Sequence, residues 1–69
     1  MSLDILIADV EELEEDGAII LLKWDGERDS HKRTVIVQKP GSDYSFRRDT
    51  DDLAETLKAA IADYRLAFG

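Results

Sequence analysis

The residues best equipped for chemistry lie together in Asp25-Gly26-Glu27-Arg28-Asp29-Ser30-His31. Asp25, Glu27, Asp29 and His31 place carboxylates and an imidazole at alternate positions, the donor types of a weak cation site. A calcium loop set between helices needs glycine at its sixth position and a bidentate glutamate at its twelfth. Counted from Asp25, glycine is second and the twelfth residue is Ile36. The pattern fails, so a solvated hairpin loop is expected, with no metal and no cofactor. Ser30 and His31 are the other reactive pair, but a nucleophile and its base normally meet from separate elements, and adjacency in sequence gives them poor geometry. His31 is therefore expected to be an exposed polar residue. Glycines stand at 17, 26, 41 and 69, never clustered, so no phosphate-cradling loop is present. A chain of 69 residues also leaves little room for a deep pocket. The protein is expected not to be an enzyme.

Charge offers a second kind of chemistry. The formal net charge is -7, from 16 acids against 9 Lys and Arg. Residues 1–17 hold seven acids and no base, residues 18–48 have a net charge of +3, and residues 49–69 a net charge of -3. Asp4, Glu11, Glu12 and Glu15 form an acidic face that suits a basic partner and also keeps a small protein soluble. Within the basic middle, Lys23, Arg33, Lys39, Arg47 and Arg48 are candidate ligands for an anion or a nucleic-acid phosphate, with Lys32 beside them. The same residues can pair with helix acids or guard sheet edges.

Five elements must position these side chains. Leu3, Leu6, Ile7, Val10 and Leu13 fall within an arc of about 120° at helical spacing, which predicts a first helix ending near Glu15 or Asp16. Ser2 is the candidate N-cap, and Gly17 the residue that ends the helix in a left-handed conformation. Ala18–Asp25, Arg33–Lys39 and Asp43–Arg48 read as strands, the last two joined by a type II turn at Lys39-Pro40-Gly41-Ser42. Leu53, Leu57, Ala60, Ile61, Tyr64, Ala67 and Phe68 share an arc of about 120° on a final helix. Thr50 is its expected N-cap, with Asp52 and Glu55 as an alternative capping box.

Each helix has an apolar stripe to hide, and a meander has a face that can hide both. The expectation is a single α+β domain over residues 1–69: two layers in the order α-β-β-β-α, a three-stranded antiparallel meander with both helices packed on one face. The expected core is Leu6, Ile7, Val10, Leu13, Val35, Val37, Tyr44, Phe46, Leu57, Ile61, Tyr64 and Phe68, joined by Ile20, Leu22 and Trp24 from the first strand. Alternation then turns Ile19, Leu21 and Ile36 onto the opposite face, beside Thr34, Gln38, Ser45 and Arg47. Ile19, Leu21, Ile36 and Arg47 are the candidate partner-binding residues, for another protein or a second copy of this chain.

The order of helix, three antiparallel strands and helix resembles that of double-stranded-RNA-binding domains, over the whole chain but with no shared sequence motif. Those domains grip phosphates with a lysine-rich cluster at the start of the last helix. The matching stretch here, Asp49-Thr50-Asp51-Asp52, would repel them. The resemblance implies a common way of packing and speaks against that RNA function.

The start Met1-Ser2-Leu3-Asp4 lacks the positive charge of a signal peptide, and the longest apolar run, Ala18–Leu22, is far too short for a membrane span. With no cysteine, the composition suits a reducing compartment, and a soluble cytoplasmic protein is expected, with no membrane contact. These features together describe a small acidic protein-interaction or regulatory module; a nucleic-acid or anion binder using the basic sheet is the alternative.

Overall fold

A computed structural model describes residues 3–68; of Leu3 it describes the backbone alone. The Ser2 cap lies outside the described residues. Helix α1 spans Leu3–Glu15, strands β1, β2 and β3 span Ile19–Trp24, Arg33–Gln38 and Ser45–Thr50, and helix α2 spans Leu53–Phe68. The strands form one antiparallel sheet in the order β1-β2-β3, which places the Val-rich strand in the centre. Both helices lie on one face. α1 packs on β1 and α2, while α2 packs on β2, β3 and α1. The α+β two-layer expectation is met.

The junctions show why the elements stop where they do. After α1, the Gly17 amide donates to the Glu14 carbonyl at 2.9 Å and the Ala18 amide to the Leu13 carbonyl at 3.0 Å. This is a Schellman closure, and it needs the left-handed φ of +93° that Gly17 adopts. Leu13 and Ala18, the two residues joined by the outer bond, are both buried. In the β2–β3 connection the Ser42 amide donates to the Lys39 carbonyl at 3.1 Å, and Gly41 takes a φ of +85°. That is the expected type II turn.

Leu6, Leu13, Ala18, Val35, Val37, Leu57, Ala60, Ile61 and Tyr64 form the buried core, with Val10, Ile20, Leu22, Tyr44 and Phe46 packed against it. Several expectations need correction. The third strand is Ser45–Thr50, two residues later than Asp43–Arg48, because Ser42 and Asp43 still belong to the turn: the Ser42 hydroxyl accepts from the Tyr44 amide at 3.2 Å. Thr50 consequently remains in the strand opposite Arg33 and does not cap α2. Asp52 caps it, its Oδ1 accepting from the Glu55 amide at 3.1 Å, while the Thr50 hydroxyl accepts from the Asp52 amide at 3.0 Å. Ile7 and Phe68 are exposed, each at the margin of a helix stripe wider than the surface it covers. Phe68 still packs edgewise on Tyr44, with ring centroids 5.2 Å apart. Trp24 is 60% exposed. Its strand parity is that of Ile20 and Leu22, but it sits at the end of β1, beyond the cover of the helices.

Candidate partner interface on the open sheet face

The strand register determines which side chains meet on the face away from the helices. Across β1, β2 and β3 it aligns Ile19 with Gln38 and Ser45, Leu21 with Ile36 and Arg47, and Lys23 with Thr34 and Asp49. The face therefore has an apolar half and a polar half. Ile19 is 44% exposed and Leu21 51%, with Ile36 half-buried beside Leu21. The four residues expected to bind a partner are thus brought together, with Arg47 exposed at the β3 side of the same row.

The polar half is held from above. The Thr34 hydroxyl donates to Asp49 Oδ1 at 2.6 Å, and Arg28 Nη2 reaches Asp49 Oδ2 at 3.4 Å. Arg28 Nη1 also donates to the His31 carbonyl at 3.2 Å. Arg28 so ties the β1–β2 loop across to β3, and Thr34 is buried. The Thr34 hydroxyl first, and the Arg28 guanidinium second, hold the Asp49 carboxyl below the usual carboxylate range. This array was not expected from sequence. Its only advance signal is the strand alternation that puts Thr34 and Asp49 on one face, and no spacing rule reaches Arg28.

The 25–31 loop uses its polar groups on itself and on the start of α2. Asp25 Oδ1 accepts from the Glu27 amide at 3.0 Å, closing a local turn. Asp51 Oδ1 accepts from the His31 amide at 2.7 Å, and His31 has a left-handed φ of 53°. Ser30 Oγ lies 3.3 Å from His31 Nδ1, with both residues exposed. Among the described residues, no group of three His, Asp or Glu is arranged to hold a metal ion. The acids that stand where an RNA-binding domain would carry lysines therefore anchor this loop (Asp49, Asp51) and cap α2 (Asp52).

The five candidate anion ligands are divided. Lys23 and Arg47 lie on the open face, whereas register puts Arg33 and Arg48 on the helix side. Arg33 Nη1 donates to the Asp51 carbonyl at 3.1 Å, and the Arg48 guanidinium sits 5.1 Å from the centre of the Phe46 ring. Lys39 pairs with Asp16 at 3.5 Å and also donates to the Asp16 carbonyl.

A third surface was missed. Beside the free edge of β1 runs a groove lined by Val10, Glu11 and Glu14 of α1 with Ala18, Ile19 and Ile20. Exposed Trp24 stands at the far end of the same strand. No helix among the described residues is long and apolar enough to cross a membrane. No protein-family model matches the sequence, and no curated protein or solved structure matches it.

Proposed function

We propose that the protein is a small interaction or regulatory module that binds another protein through its open sheet face. The observation that carries this reading is the patch formed by Ile19, Leu21 and Ile36 in two neighbouring rows, exposed or half-buried on a face that no other element covers among the described residues. A rigid support favours it: the residues sit on paired strands, and the Arg28–Asp49–Thr34 array stiffens the adjoining half. The exposed charges of this face are Lys23 and Arg47, while its one acid, Asp49, is engaged by Thr34 and Arg28, so the face suits a different chain that carries acids opposite the two cations.

A photo-crosslinking residue at Leu21, in protein expressed in its own cells, should give a discrete adduct. The same residue at Leu66, which is 87% exposed on the outer side of α2, should not. Leu21→Lys should prevent the adduct formed by a crosslinker at Ile19. Equal labelling from Leu21 and Leu66 would refute the reading. Light scattering on the purified chain should show a monomer; a dimer dissolved by Ile36→Lys would make a second copy the occupant.

A further inference from the structure

We infer that the free edge of β1 accepts an extended, basic segment of another protein as a fourth strand, with its cationic side chains over Glu11 and Glu14. This inference rests on the interaction-module reading and adds a mode of docking and a partner chemistry to it.

Hydrogen-bond phase identifies the free groups. The Asp25 amide donates to the Lys32 carbonyl at 2.6 Å, in step with the pairing of Trp24 with Arg33. Antiparallel pairs alternate between bonded and non-bonded, so Lys23, Leu21 and Ile19 direct their backbone groups to β2. Ile20, Leu22 and Trp24 direct theirs outward, to an edge with no further strand among the described residues. The opposite edge differs. β3 carries Arg47, Arg48 and Asp49 in succession, the usual protection against strand addition, whereas β1 is IILLKW with one charge and no proline.

What would lie beside an added strand defines its side chains. On the helix side, it would run along the groove of Val10, Ala18 and Ile20, rimmed by exposed Glu11 and Glu14. On the open side its neighbours would be Ile19 and Leu21. Side chains alternate between faces, so the matching segment alternates too: Lys or Arg toward α1, apolar residues toward Ile19 and Leu21. Neither Glu11 nor Glu14 takes part in an ion pair among the described residues, so both are free to meet such cations. A second copy is a poor occupant. Edge-to-edge pairing of β1 strands would bring two α1 helices together, and each belongs to a stretch with seven acids and no base.

The test uses the intact protein and two end-blocked hexapeptides, one alternating Lys with Val and one alternating Glu with Val. The Lys–Val peptide should slow amide exchange at Ile20, Leu22 and Trp24 by about tenfold or more at saturation, with little change at Ile19, Leu21 and Lys23. Binding should weaken as salt rises, and the Glu–Val peptide should bind at least about tenfold less tightly. Exposed Glu11 and Glu14 can be changed without touching the core, and E11K/E14K should reverse the preference. Equal binding of the two peptides, no effect at millimolar peptide, or slow exchange at the three amides in the free monomer would each overturn the inference. So would self-association of the free chain that protects those amides. If the Leu21 adduct forms while the edge amides stay unprotected, strand addition falls and the interaction-face reading stands; loss of both removes the two together.

Discussion

Replacing Gly17 by alanine tests the corner that sets α1 over β1, and with it the groove along the free edge. The residue has a φ of +93°, and both closing bonds of the helix depend on it. An L-residue forced into that region loses about 1–2 kcal/mol. A Cβ built there would also approach Lys39 Nζ to 3.2 Å. That atom ends a flexible side chain, so it can retreat, but in doing so it gives up its contacts with Asp16. Loss of that solvent-screened surface pair adds little. A total near 1.5 kcal/mol is expected, which for a domain of this size lowers Tm by about 6–12 °C. Gly26 supplies the control, since a Cβ there meets nothing within 4 Å and its φ lies outside the left-handed region. Gly26→Ala should be neutral or stabilise by about 0.4–1 kcal/mol through the unfolded chain. Urea denaturation followed by Trp24 fluorescence gives both values. Equal effects of the two substitutions would refute the account of the corner.

The remaining predictions concern the helices. Tyr64 is buried and donates its hydroxyl to Asp16 Oδ2 at 2.6 Å; burial and that bond push its phenol up to about 12. A phenol raised in the folded state contributes stability that is complete below its unfolded value near 10 and is lost as pH rises through about 12. The Asp16 carboxyl is lowered, by the Tyr64 hydroxyl first and Lys39 second, so its contribution is present above the ordinary carboxylate value and is lost as pH falls through the folded one. Tyr64→Phe should flatten both limbs of a stability–pH curve measured by denaturant titration, and unchanged limbs would contradict the assignment. Asp52→Ala should cost about 1 kcal/mol as loss of an N-cap, and more than Thr50→Ala, in thermal melts of the two variants.

Much of the architecture was legible because each element has a self-consistent local signal. The α1 stripe, the Gly17 stop and the Pro40-Gly41 turn each stand where the pattern put them. Failures came where a local signal was read without its tertiary setting. Thr50 and Asp52 are both sound caps by residue type, and only the length of β3 decides between them. Trp24 shares the parity of Ile20 and Leu22, which places it with the core by pattern, yet strand alternation fixes a side and not a depth. On the candidate face, alternation alone brought Ile19, Leu21 and Ile36 together. The Arg28–Asp49 bridge spans 21 residues between a loop and a strand, and nothing local to either residue announces it.

The acids of α1 divide into a paired set and an unpaired one. Arg65 of α2 bridges Asp9 at 3.1 Å and Glu12 at 2.9 Å, and Tyr64 and Lys39 hold Asp16. These three acids face the rest of the fold and orient the helix. Asp4, Glu11, Glu14 and Glu15 are exposed and take part in no ion pair among the described residues. Had solubility been the sole purpose of the acidity, a spread around the outer surface would serve as well. Glu11 and Glu14 instead stand together on the rim of an apolar groove, beside the sheet's unguarded edge. Unpaired charge next to unpaired backbone groups and exposed aliphatic side chains is the combination that a cationic strand satisfies all at once.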